Sequence, residues 1–253
     1  MNGEMSQACR IVIAARKAMK DKKQIVFEPL IYEMNIMFEF LPRKTLFFSK
    51  SSKANCVMDW FDQCLSLGIE DIKFLTPISA KDRGLLGFSN TTPSSLLCFY
   101  KNRVVTYFSV NWSFDNVLKG WNITYTEHSW DNAPKEKPKF ENNTEEFVSV
   151  LNDIEELARS IDCDDFADIF HIAGSILKGK TDEDSDFTNL LPPGNTHLFA
   201  AARKADVFGA MGSWNDSPPY MAKEKGLDKQ YQELSDNLLR QLRLAVLYAV
   251  NEW

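Results

Sequence analysis

Leu96–Ser129 reads LLCFYKNRVVTYFSVNWSFDNVLKGWNITYTEHS, and this stretch decides the class of the fold. LLCFY and VVTYFSVNW flank Lys101-Asn102-Arg103. Two runs rich in aromatic and β-branched residues around a short polar turn predict a β-hairpin. Further on, Trp121, Ile123 and Tyr125 alternate with Asn122, Thr124 and Thr126. A period of two puts the apolar set on one face and the polar set on the other, as in a half-buried strand. An aromatic sheet can serve as a stacking platform for nucleic-acid bases. Aromatic residues also fill the cores of sheets, and these strands carry no interleaved Lys or Arg, so the core reading is the better one.

Working outward, IKFLTPI reads as one more short strand, followed by a Gly/Ser/Thr/Asn-rich loop over 79–95. Residues 52–67 are expected to form a helix, with Gly68 as its C-terminal stop. Met5–Lys22 carries Ile11, Ala14, Ala15, Ala18 and Met19 at helical spacing and predicts an amphipathic helix. Residues 24–41 suit a helix opening at Pro29 or two strands, and the turn signal Pro42-Arg43-Lys44 favours strands.

Beyond the sheet the pattern changes. DNAPKEKPKFENN, residues 131–143, is polar, holds two prolines and lacks periodicity, which marks a linker. Helices are then expected from Thr144, as N-cap, to Ile161, from Asp164 to Lys178 and from Thr196 to Phe208. The final helix, 228–253, places Tyr231, Leu234, Leu238, Leu242, Ala245 and Ala249 on one face, and its second half is apolar on most sides. The expected fold is α+β: an N-terminal antiparallel sheet with two helices over 1–132, a linker over 133–143 and an all-helical half over 144–253, the two halves sharing one core or standing apart.

The composition fits a globular chain: 253 residues, 44% hydrophobic and 25% charged. A net charge of −6 without a basic stripe argues against nucleic acid as the partner. The five cysteines (Cys9, Cys56, Cys64, Cys98 and Cys163) are odd in number and widely spaced, which suits reduced thiols in a cytoplasm. Residues 1–10 lack an apolar core, and no run approaches the ~18–20 apolar residues of a bilayer span. A soluble cytoplasmic protein without membrane contact is expected.

Few residues offer chemistry. No dinucleotide fingerprint, Walker A loop or G-x-S-x-G elbow is present, and three histidines give little acid–base capacity, so no cofactor is expected. Asp164, Asp168 and His171 share a helix face and could ligate a divalent metal, or cap and complement the helix start. DEDSD at 182–186 alternates like the opening of a calcium loop, but Phe187 and Pro193 stand where Gly and Glu are required. The densest group of special-backbone residues is FGAMGSWNDSPPY, 208–220. Gly209, Gly212, Ser213, Asn215 and Asp216 could cradle a ligand, with Trp214 stacking on it or anchoring a partner protein. The architectural reading makes Gly209 a left-handed helix stop, Trp214 a core plug and Pro218-Pro219 the start of a short helix closed by Gly226. The function expected is an intracellular, non-enzymatic interaction protein that binds a protein partner through an acidic and aromatic surface, with a regulatory or immunity-like role in character. The alternative is a small-molecule binder or enzyme with a pocket at the 208–220 turn between the halves.

Overall fold

A computed structural model describes residues 1–44, 49–50, 52–91, 93–134, 136–180 and 190–253. The DEDSD run lies outside the described residues. The chain forms two compact units. One comprises Glu4–Leu75 and Pro93–Pro138; the other comprises Met1–Gly3, Thr76–Thr92 and Lys139–Trp253.

The first unit is built on a six-stranded sheet. Its strands are β1 (Glu33–Glu39), β4 (Lys53–Ala54), β5 (Ile69–Leu75), β6 (Ser95–Tyr100), β7 (Val105–Asp115) and β8 (Gly120–Ser129). They lie in the order β4-β1-β8-β7-β6-β5, and a separate two-residue ladder joins β2 (Arg43–Lys44) to β3 (Ser49–Lys50). The expected β6–β7 hairpin holds, and the strand expected at Trp121–Thr126 pairs with it as β8: β6–β7–β8 is an antiparallel meander, with Val110 opposite Tyr125 and Trp112 opposite Ile123. One ladder corrects the antiparallel expectation. β1 runs parallel to β8, with Ile36 opposite Ile123 and Phe38 opposite Tyr125, so the sheet is mixed. A parallel neighbour cannot come from a tight turn, and here it comes from a strand distant in sequence, a pairing that no local pattern announces.

Phe99, Tyr100, Phe108, Trp112 and Tyr125 are core, as their strand placement suggested, whereas Tyr107, Trp121 and Trp130 are half-buried and Phe114 is exposed. Phe38 is stacked between Trp60 and Tyr125, each ring centroid 4.9 Å away, and Phe108 meets Phe38 edge-on at 5.9 Å. Trp60 belongs to α2 (Val57–Ser66), which starts later than expected because Lys53–Ala54 is taken into the sheet. The Cys56 sulfur caps it by accepting from the Asp59 N–H. Helix α1 (Gly3–Asp21) is tied to the sheet by polar contacts. The Tyr125 hydroxyl donates to Gln7 at 2.9 Å, Arg10 pairs with the buried Glu33, and Arg16 binds Asp71 at 2.7 Å.

In the second unit, α3 (Thr144–Ser160), α4 (Asp164–Leu177), α5 (Pro193–Ala205) and α7 (Asp228–Asn251) form a closed ring of neighbours: α3 on α4, α4 on α5, α5 on α7 and α7 on α3. The short α6 (Pro218–Glu224) lies beside α7. Position 143 rather than 144 is the N-cap of α3, and Asn142 accepts from the Thr144 N–H at 2.9 Å. The apolar second half of α7 is buried on most sides, as its sequence predicts: Ala245, Val246, Leu247, Ala249 and Val250 are all core residues. The segment Thr76–Thr92 joins this unit through Asp82, which receives two hydrogen bonds from Arg243 of α7. Among the described residues no helix is long and apolar enough to cross a membrane.

Candidate binding surface at the tryptophan turn

The turn after α5 is held by its own backbone. The Trp214 N–H donates to Val207 at 3.0 Å, Ser213 to Ala210 at 3.1 Å and Asp216 to Ser213 at 3.1 Å. The Asp216 carboxylate accepts from the Gly212 N–H at 2.7 Å, and the Ser213 hydroxyl accepts from the Asn215 N–H at 3.2 Å. The left-handed residue is Gly212, at φ 78°, and not Gly209 as expected, because the helix already ends at Ala205.

Trp214 is fully buried, so its ring is not open to a ligand. Phe166 and Phe170 of α4 meet it edge-on at 5.2 and 5.3 Å, and Tyr231 of α7 lies at 5.4 Å. The indole N–H donates to the buried Ser235 hydroxyl at 2.8 Å, and the Tyr231 hydroxyl donates to the Trp214 carbonyl. Burial pushes the Tyr231 hydroxyl above the usual phenol range despite the Arg83 guanidinium over its ring. These contacts are those of a core plug.

Asn215 is held by Arg83 of the 76–91 segment. Its amide donates to the Arg83 carbonyl at 2.9 Å and its side-chain oxygen accepts from the guanidinium at 3.1 Å. Arg83 also pairs with Asp236 at 2.7 Å and binds Gln232. Three of the candidate cradle residues, Ser213, Asn215 and Asp216, are therefore occupied in fastening the turn. Close by, Gly87 approaches the turn so tightly that a Cβ there would stand 2.5 Å from the Ala210 nitrogen.

The two fastened loops leave apolar side chains outside. Met211 is 93% exposed, Phe88 62% and Leu85 56%. The contact of Gly87 with Gly209–Ala210 brings the strands of chain that carry them together. The available sequence signal was the apolar run Gly84-Leu85-Leu86-Gly87-Phe88 inside an otherwise polar loop, and Met211 within a turn read for its glycines.

The proposed metal face has a different partner. Arg159 contacts Asp168 at 3.1 Å, Asp164 at 3.6 Å and Glu155 at 3.1 Å, while His171 Nδ1 lies 3.2 Å from Glu155. The protein's own guanidinium supplies the cation for these carboxylates. No group of three or more metal-ligating side chains converges among the described residues.

Charge divides unevenly between the units. The helical unit's sequence holds 13 Lys+Arg against 22 Asp+Glu, a balance of −9, and the sheet unit holds 16 against 13, a balance of +3. On α3, Glu145, Glu146, Asp153 and Glu156 are exposed with no ion-pair partner among the described residues. Comparison with known protein families, curated proteins and solved structures gives no match.

Proposed function

We propose that the helical unit is a binding module for a basic protein partner inside the cell, docking through Leu85, Phe88 and Met211 on the fastened loops, with no chemistry of its own. The observation that carries this reading is the rigid display of three large apolar side chains on a unit of charge −9. Anchors held on pre-set backbone lose little freedom on binding, and apolar residues at the centre of an interface supply most of its affinity. The unit's net negative charge would steer a basic partner and speed its arrival in a salt-dependent way.

Affinity capture from the native host, comparing the wild type with a Phe88→Ser/Met211→Glu variant of unchanged melting temperature, tests the reading. A basic protein should be recovered by the wild type, released by salt and lost from the variant. Equal recovery of every protein by both forms would remove this surface as the docking site.

A further inference from the structure

The sheet unit holds a cleft of about 650 Å³ beside the β6–β7 turn, in the size range of small-molecule sites. Phe99, Tyr100, Val104 and Val105 of the hairpin line it together with Ala133 and Pro134 from the chain beyond β8. Two cations reach the same space, Arg103 from the turn and Lys137 from the chain beyond β8, together with the carboxylate of Glu70.

The main chain of the turn that carries Arg103 is fixed. Arg103 takes a left-handed backbone at φ 64° and its N–H donates to Tyr100 at 2.9 Å, while Lys101 is tied to the Gly68 carbonyl at 3.0 Å. The Arg103 guanidinium has no partner among the described residues. Lys137 lies 5.4 Å from the Phe99 ring centroid and 3.6 Å from Asp71, which Arg16 already holds at 2.7 Å. Arg16, Lys137 and Arg103 thus stand against Asp71 and Glu70, leaving the cleft one positive charge in excess within a unit of +3.

We propose that this cleft binds an aromatic acid, a planar apolar ring carrying one carboxylate, sulfonate or phosphate. The ring lies against the apolar side chains of the hairpin and Pro134, and the anion is held by Arg103 and Lys137. A guanidinium with no partner among the described residues gives an incoming anion a charge-assisted hydrogen bond without breaking one of those shown. The site is independent of the surface on the helical unit.

Fluorescence titration of the intact protein at low salt tests it, with anilinonaphthalene sulfonate as the anionic probe and N-phenylnaphthylamine as its neutral counterpart. The wild type should show one saturable site for the sulfonate. Arg103→Asn, a residue that tolerates the left-handed backbone, should weaken it about tenfold, the value of one charged hydrogen bond. Arg103→Lys should retain most of the affinity, Glu70→Gln should tighten binding and Val104→Trp should fill the cleft and abolish it. The neutral probe should not distinguish Arg103→Asn from the wild type. Two results would overturn the assignment: no saturable binding by the wild type, or wild-type titrations from both Arg103→Asn and Val104→Trp, which would place the dye elsewhere.

Discussion

The Arg243 guanidinium, 2% exposed, holds both oxygens of Asp82, at 2.7 and 2.8 Å, across 161 residues of chain. The pair is asymmetric. Asp82's side chain is 21% exposed and remains within reach of water, whereas Arg243 is closed in and also donates to the Ser79 carbonyl. Removing the carboxylate strands a buried charge, while removing the cation leaves a carboxylate that water can solvate. Asp82→Ala should therefore cost about 3 kcal/mol and Arg243→Met about half of that, measured by urea unfolding at neutral pH.

The same pair sets a pH dependence. Burial raises the Asp82 pKa, but the hydrogen bonds and charge of Arg243 outweigh it, so the carboxyl sits below its ordinary value of 3.8. A lowered native pKa contributes stability that is fully present above 3.8 and is lost as pH falls through the native value. The stability gap between wild type and Asp82→Asn should hold from neutral pH down to about 4 and close below it. A gap that widened on acidification would contradict the pairing.

Trp214 and Ser235 should behave as a coupled unit. Trp214→Phe removes the indole donor from the buried Ser235 hydroxyl and leaves a gap in the core, at a cost of about 2 kcal/mol; Ser235→Ala alone should cost about 1 kcal/mol. The double variant should fall short of the sum by about 1 kcal/mol. Thermal unfolding of the four proteins reads this directly, and strict additivity would show that the hydrogen bond contributes nothing.

Two glycines of the fastened loops should respond differently to alanine. Gly212 has φ 78° and open space around its missing Cβ, so Gly212→Ala should cost only the left-handed backbone penalty, about 1 kcal/mol. Gly87 combines φ 102° with backbone 2.5 Å from the added carbon, so Gly87→Ala should exceed about 2 kcal/mol. Melting temperatures of the pair would check the order.

Thiol chemistry should single out Cys56. It is partly exposed at the start of α2, while Cys9, Cys64, Cys98 and Cys163 are buried and closed to a reagent. Burial raises the Cys98 and Cys163 thiols above their ordinary range. With a disulfide reagent at pH 8, the native protein should show one fast thiol, absent in Cys56→Ser.

Local pattern carried the elements well. The alternation at Trp121–Thr126 and the apolar face of α7 are consequences of one-sided burial, which sequence records at a period of two or 3.6. The parallel partner of β1 was not legible, because Ile36 meets Ile123 through tertiary pairing and neither residue signals the other's identity. The glycines and Trp214 marked a shaped turn, but their role was decided by residues far away: Ser235, Tyr231 and Arg83. Arg159 likewise sits on the preceding helix, so the helical spacing of Asp164, Asp168 and His171 could not reveal the cation already between them.

Proteolysis brings out a consequence of the path of the chain. Thr76–Thr92 belongs to the helical unit although the sheet unit surrounds it in sequence. A single nick after Pro138 would leave Asp82 on one fragment and Arg243 on the other, with Arg83 likewise cut off from Asn215 and Asp236. The two pieces should then co-elute as a nicked complex under native conditions. The helical unit could be secreted, grafted or inherited alone only with that seventeen-residue stretch spliced back to it.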